Sequence, residues 1–482
     1  MRVRTFLAIV AAAPLLACGD DGTGGPNPPP PPPPPPPVAS VTVSPMLSLE
    51  VGATGQLTAT LKDAQGNTLE GRSVTWNVVN TAVASVNNTG LVTAISPGTT
   101  EVRATSEGQT GQATVDVAAV ASFPLAQISV GGTHTCGLTS AGEAWCWGEN
   151  SNGEIGDGTT TMRASPVRVE GGHVFAAISA GGVHTCALTT AGEAWCWGYN
   201  FYGSLGDATV VGKLTPVRVA GEHSFASITT GAFHTCARTS EGIAWCWGFG
   251  SSGALGDNGA FHRNAPVLVA GGLAFSELTA GYYHTCGLQE LGVAWCWGDN
   301  GALALPGITT APGILGTGSS AGMVAQPAAV SGGLRFAELV SALGFTCGRN
   351  VADALYCWGV NTYGNLGDRT TTIRTAPTAV FSTTSFSAVT AGAFHGCAVS
   401  TANEVWCWGR NSFGQLGDGT SQSHSEPVKV TGATLFTRIS ADASTTCGVS
   451  TTGEAWCWGH GGTGAVGDGT TQNQSSPVRV RP

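Results

Sequence analysis

Fourteen of the fifteen cysteines in this 482-residue chain fall into seven pairs, each ten residues apart: Cys136 with Cys146, Cys186 with Cys196, Cys236 with Cys246, Cys286 with Cys296, Cys347 with Cys357, Cys397 with Cys407, and Cys447 with Cys457. Thiols at a fixed spacing can ligate a metal or bond to one another. Zinc gathers Cys or His ligands within about 2.3 Å of one ion, and each pair supplies only two. A third could come from His134, His184, His234, His284 and His395, but Phe345 and Thr445 replace that histidine in two copies. The pattern therefore predicts no metal and no cofactor. In a chain that leaves the cytosol, even pairing reads as a disulfide framework. The histidines are expected to hydrogen-bond to neighbouring backbone. Acids also recur, as Asp157, Asp207, Asp257, Asp368, Asp418 and Asp468 after Leu-Gly or its variants. Repetition at one turn points to turn formation rather than catalysis. The sequence has no Gly-x-Ser-x-Gly elbow, His-Glu-x-x-His or phosphate loop. No catalytic residue is assigned and an enzyme is not expected.

The element that must position these thiols is the stretch from His134 to Gly148, which returns six more times with small changes. If Cys136 lies opposite Cys146, Leu138 faces Ala144 and Ser140-Ala141-Gly142 is a three-residue hairpin loop. Such a loop wants a left-handed residue at its last position. The equivalents of Gly142 are Gly192, Gly242, Gly292, Asp353, Asn403 and Gly453, all residue types that tolerate positive φ. The register thus rests on turn chemistry as well as on the cysteines. A disulfide across each hairpin closes a short loop, worth about 2.7 kcal/mol in the chain-entropy treatment.

The 71 glycines, 25 prolines and 10% charged residues leave little material for amphipathic helices and much for turns. The net charge is −10 and the basic residues are scattered, so no stripe exists to neutralise phosphates and nucleic acid is not an expected partner. Arg2 and Arg4 precede an apolar run, Phe6 to Leu16, that is shorter than the roughly 20 residues of a spanning helix and reads as an export signal. Leu15-Leu16-Ala17-Cys18 resembles the lipobox of bacterial lipoproteins. The resemblance implies a signal peptide over 1–17, lipidation of Cys18, and residence in the bacterial cell envelope, outside the cytoplasm and anchored to a membrane. Residues 18–37 then form a tether ending in ten consecutive prolines, a polyproline II post of roughly 30 Å at about 3.1 Å per residue.

Residues 38–120 read as short alternating strands separated by turn residues at β-sandwich spacing. Val43-Ser44-Pro45, Val74-Thr75-Trp76, Ala82 to Val86 and Gly90 to Ala94 resemble the bacterial Ig-like domain, group 2, with Trp76 as its core tryptophan. From 121 to 482 the cysteine hairpin recurs at a period of about 50 residues, with one longer step in the fourth unit. Each unit has four candidate strands, the content of a propeller blade. Gly181-Gly182-Val183-His184-Thr185, Trp197-Gly198-Tyr199-Asn200 and Gly203-Ser204-Leu205-Gly206 are similar to the regulator-of-chromosome-condensation repeat β-propeller family. The expected fold is all-β, a seven-bladed propeller after an Ig-like sandwich. No Pro-x-x-Val strand precedes the first hairpin, so the last one, Pro477 to Val480, is expected to complete the first blade and clasp the ring.

Extending the hairpin register pairs Thr133 with Glu149, Val183 with Tyr199, Phe233 with Phe249, Tyr283 with Asp299, Gly344 with Val360, Phe394 with Arg410 and Ser444 with His460. These variable pairs lie at the same end of every blade, and the fourth-unit insertion should rise from that face. Tyr199, Phe201, Tyr202, Phe233, Phe249, Tyr283, Tyr363, Phe394, Arg410, Phe413 and His460 are the candidate binding residues, for an unknown protein or surface ligand. The expected function is binding or adhesion. A resemblance to the secreted propeller that inhibits β-lactamases offers inhibition of an extracytoplasmic enzyme as an alternative. Catalysis on a cell-wall or surface polysaccharide is third.

Overall fold

The computed structural model describes residues 34–44, 46–119, 123–301, 313–320 and 322–482, and every regular element in them is a strand. The expected signal peptide, Cys18, most of the proline run and inserted residues 302–312 lie outside the described residues. Two compact units are present, Met1–Val120 and Ala121–Pro482.

In the first unit a four-stranded sheet runs in the order Leu47–Glu50, Gln109–Ala118, Gly98–Ser106, Thr75–Val78, and a three-stranded sheet joins Thr54–Gln56, Leu91–Ala94 and Ala84–Val86. Alternation along Gln109–Ala118 sends Ala113, Val115 and Val117 inward against Leu57, Val92 and Val102. Trp76 is half-buried and packs against this core. The sequence reading did not anticipate Leu47–Glu50, which pairs parallel to Gln109–Ala118.

The second unit consists of seven four-stranded antiparallel sheets in sequential order. The first is Gln127–Val130, His134–Leu138, Ala144–Gly148 and Arg163–Arg168, and its counterparts lie within 175–218, 227–268, 277–329, 336–379, 386–429 and 436–479. The first strands of all seven surround one cavity of about 180 Å³, the axial channel of a seven-bladed propeller. Each fourth strand, the outermost, carries a proline such as Pro166 or Pro216, which has no N–H to offer another sheet edge.

Each hairpin places its two cysteines directly opposite one another, and all seven expected disulfides are formed. Cys136 is bonded to Cys146, Cys186 to Cys196, Cys236 to Cys246 and Cys286 to Cys296. Cys347 is bonded to Cys357, Cys397 to Cys407 and Cys447 to Cys457. Their Cα separations of 4.0–4.1 Å are the close approach of facing residues in an antiparallel pair. Gly142 N–H donates to Thr139 O, and φ at the seven loop ends runs from 61° at Asp353 to 84° at Gly242 and Gly453.

Ring closure differs from the sequence expectation. Pro477 lies in Gln474–Arg479, which pairs with the third strand of its own unit through Trp456↔Arg479 and Cys457↔Val478. The first blade already has its own fourth strand, since the chain after each hairpin returns beside the arm it has just left. Closure is made at the other end of the chain. Leu125 N–H donates to Gly453 O at 2.9 Å, the same contact by which Phe175 reaches Gly142 and Phe225 reaches Gly192 at the internal junctions.

The junctions between blades explain the repeated motif. His134 Nε2 is 2.7 Å from Thr185 Oγ1 of the next blade, and the same pairing joins His184 to Thr235, His234 to Thr285, His284 to Thr346 and His395 to Thr446. The histidine partner is thus a neighbouring blade's hydroxyl, and not the backbone that the sequence reading expected. Thr185 gives its single hydroxyl proton to Glu154 O, so it must accept from His134 Nε2–H, leaving Nδ1 unprotonated. Trp197 Nε1–H donates to the same carbonyl at 2.8 Å. Gly156 follows two residues later, with φ 76° and no room for a Cβ, which would lie 2.7 Å from the Trp197 ring nitrogen. Where Phe345 replaces the histidine, the next blade has Gly396 in place of the threonine.

A second set of ties runs round the channel. Ser129, Ser179, Thr229, Thr279, Thr390 and Ser440 each accept the backbone N–H of the next blade's first strand at 2.9–3.2 Å, Ser440 from Val130 across the closing junction. Val340 occupies the seventh position.

A candidate recognition face

The two connections at one end of each blade are the short turn between its first two strands and the longer loop between its last two. Seven backbone bonds hold them together: Glu149 N–H donates to Thr133 O, Tyr199 to Val183, Phe249 to Phe233, Asp299 to Tyr283, Val360 to Gly344, Arg410 to Phe394 and His460 to Ser444, all at 2.8–3.0 Å. The variable pairs therefore share one face of the ring.

On that face the structure brings the aromatic residues into two groups. Tyr202 is central to the first: its ring lies 5.2 Å from Phe201, 5.7 Å from Phe233, 5.1 Å from Phe249 and 4.8 Å from His262. Tyr199 contacts Phe201, Tyr202 and Phe233, and Tyr283 extends the group from Phe233 and Phe249 into the fourth blade. Burial raises the pKa of the Tyr199 and Tyr283 phenols, so both stay neutral donors. Phe201 is 66% exposed. Phe261, which the sequence reading passed over, is 69% exposed on the same loop series, where Val210 and Val211 are exposed too.

The second group occupies blades five to seven. Tyr363 packs edge-on against Phe394, Arg410 lies over both rings, and Phe413 meets His460 edge-to-face. Phe394 is buried, so it supports Tyr363 and Arg410 from below and is not itself a surface contact. A cluster of Ile314, Leu343, Val360 and Phe394 with Tyr282, Tyr283 and Tyr363 joins the two groups. The first blade has Thr133, Glu149, Ser151 and Asn152 at these positions instead.

Charged chemistry is sparse. Asp157, Asp207 and Asp368 each hold a turn together with Thr and Asn hydrogen bonds, Asp257 does so through Gly259 N–H, and the four pair with Arg163, Lys213, Arg374 and Arg263 respectively. Among the described residues no group of three or more His, Cys, Asp or Glu could hold a metal ion. Burial takes His134 and His234 down to about 4, and His184, His284 and His395 to about 3, so all five are neutral at physiological pH. At the channel's far end, burial beside Glu338 lifts Glu277 to about 8. At the mouth on the same face as the aromatic groups, Tyr282 lies beside Asp442, whose pKa burial raises to about 7. Neither residue was singled out from sequence, although both interrupt a series of small residues at their position.

Fold and face together define a disulfide-stapled β-propeller with an aromatic-rich face at one end. The chain belongs to the regulator of chromosome condensation (RCC1) repeat family, which it matches over 141–188, 191–238, 241–288, 353–399 and 403–449, with a second RCC1-repeat description matching at 125–154, 175–204, 225–254, 275–302 and 386–415. The bacterial Ig-like domain (group 2) matches residues 37–117. The propeller is similar to yeast RCC1 (Prp20) solved with Kap60 bound, at 20% identity and TM-score 0.61 over 70% of this chain and 83% of that one. A second structure of Prp20p from Saccharomyces cerevisiae gives 21%, 0.60, 75% and 87%, and human WBSCR16 gives 18%, 0.58, 66% and 84%. These likenesses concern the fold. The human E3 ubiquitin-protein ligase HERC2 is 36% identical over 47 residues, 10% of this chain, which spans 1% of that protein's length.

Proposed function

We propose that this is an exported, lipid-anchored binding or adhesion protein of the bacterial envelope, whose propeller presents one face for recognition of a protein or surface ligand. The observation that carries the reading is the continuous aromatic group from Tyr199 to Tyr283, partly exposed, on a rigid ring whose other repeated positions are committed to blade junctions. Large rings held by their neighbours lose little freedom on binding, which favours such patches as interaction surfaces. Protein binding is also what the yeast relative's structures describe, with Kap60, Gsp1p and histones as its own partners. The lipobox at Cys18 supplies the anchor. Inhibition of an extracytoplasmic enzyme would use the same face.

The test is capture from an envelope extract with the oxidised chain, beside a variant carrying Tyr199, Phe201, Tyr202, Phe249 and Phe261 changed to Ser. A protein or glycan retained by the parent and lost from the folded variant supports the reading, and equal recovery refutes it. If the captured protein is an enzyme that loses activity, the inhibitor reading replaces adhesion. Cys18→Ser is expected to move the protein from the membrane to the soluble fraction.

A further inference from the structure

Seven equivalent turns ring the channel mouth on the recognition face. Six begin with a small residue, Gly131, Gly181, Gly231, Gly281, Ala342 and Gly392, and the seventh begins with Asp442. The following position holds Gly or Ala except at Leu343 and at Tyr282. These two departures meet: Tyr282 and Asp442 line the same cavity mouth, close enough for each to act on the other's ionisation. Blades four and seven are as far apart as a ring of seven allows, so the tyrosine side chain lies across the mouth. Asp442 Oδ1 also accepts Ala443 N–H, and Ala443 has φ 41°, a left-handed conformation costly for a residue with a Cβ.

Among the described residues lining this cavity Asp442 is the only charged one, the rest being Ser, Thr and small apolar residues apart from Tyr282. No cation is among the groups acting on it. Ser341, in the same lining, has a hydroxyl without a hydrogen-bond partner. An enclosed carboxylate without a counter-charge is costly, and what it lacks is a cation. From this geometry we infer that the channel mouth is a socket for a lysine ammonium of the protein that docks on the aromatic face, admitted when Tyr282 swings away from Asp442.

Lysine fits better than arginine. One Asp442 oxygen is already held by Ala443, so a planar two-pronged guanidinium would not be matched, whereas a compact ammonium on a four-carbon stem needs one carboxylate oxygen and neighbouring hydroxyls. The cavity of about 180 Å³ accepts such a stem. Tyr282 belongs to the cluster that joins the two aromatic groups, so its displacement would be felt across the face.

The inference rests on the reading of the face as a protein-binding surface, and the experiment separates the two. Calorimetric titration of the intact oxidised protein with n-butylammonium is expected to show saturable binding, at least tenfold weaker in Asp442→Asn, several-fold tighter in Tyr282→Phe, and unchanged in the double variant Phe201→Ser with Phe261→Ser. Equal binding by the parent and Asp442→Asn, both with parental melting temperatures, overturns the socket, as does absence of saturable binding in both the parent and Tyr282→Phe. Release of the captured partner by n-butylammonium, but not by n-butanol, places that partner's lysine in the socket. Capture unaffected by saturating n-butylammonium refutes the lysine contact while leaving the aromatic face standing.

Discussion

The junctions between blades and the loops of the recognition face are built from the same repeat yet obey opposite rules. At the junctions the pattern is nearly constant; Phe345 and Gly396 change together across one junction, and at the closing junction Thr445 replaces the histidine beside a retained Thr135. On the face, equivalent positions hold Glu149, Tyr199, Phe249, Asp299, Val360, Arg410 and His460. Buried polar groups explain the first behaviour, because each needs its partner in the next blade. Partial contact with water explains most of the second: Glu149, Tyr199, Phe249, Arg410 and His460 are half-buried and can change without stranding a hydrogen bond, whereas Asp299 and Val360 are covered by their neighbours.

That contrast can be broken most forcefully through the disulfides. All fourteen cysteines are fully buried, so reductant is expected to react only as the ring opens. Seven bridges at about 2.7 kcal/mol each in the chain-entropy treatment exceed the roughly 5–15 kcal/mol stability of ordinary domains. Thiol titration with and without urea should show protection of the native protein, and circular dichroism should show that the reduced chain no longer holds the propeller.

Next in size is pH. The five junction histidines are held at about 3 to 4 when folded, below their unfolded value of about 6.5. Their contribution is present above pH 6.5 and lost as pH falls toward 4, by up to about 1.4 kcal/mol per histidine per pH unit. Glu277 and Asp442, raised to about 8 and 7, act oppositely: they favour the folded state at lower pH, and this is lost as pH rises through those values. Five histidines outweigh the carboxyls below 6.5, so urea midpoints should peak between pH 6 and 7 and fall steeply on the acid side. A flat profile from 4 to 6.5 would contradict the buried, neutral assignment.

Single substitutions sharpen the comparison. Trp247→Phe keeps the ring but removes the donor to Ser204 O and is expected to cost about 1–3 kcal/mol in urea unfolding. Val340→Thr would give Ala391 N–H the acceptor that its counterparts have, with a gain of about 0.5–1.5 kcal/mol. Phe201→Ser, on the face, should leave stability within about 0.5 kcal/mol while weakening partner capture. Reversal of the order between Trp247→Phe and Phe201→Ser would erase the distinction drawn between junction and face.

Hairpin register was readable because two independent signals agreed, the cysteine spacing and a left-handed residue at the loop end, including Asp353 and Asn403. The face was readable as a position, since extending that register names pairs that are indeed bonded. Closure was misread because counting Pro-x-x-Val strands does not reveal which neighbour each strand joins; the informative residue was Leu125, which shows its equivalence to Phe175 only once its bond to Gly453 is seen. Asp442 and Tyr282 escaped for a related reason. They are far apart in sequence, and only the curvature of the ring brings them together. Phe394 shows the converse, an aromatic at a surface register that three-dimensional packing covers.

Closure without a shared sheet has a mechanical consequence. The first and seventh blades meet through the Leu125–Gly453, Val130–Ser440 and Trp147–Ala465 hydrogen bonds and the packing of Phe123 against Val449 and Val480. No covalent bond and no continuous ladder crosses that line. Tension applied through the chain ahead of Phe123 would therefore act on this seam first, peeling it contact by contact, while every blade stays riveted by its own disulfide. Overstretched, the ring would open into a string of intact blades able to close again when the load is released.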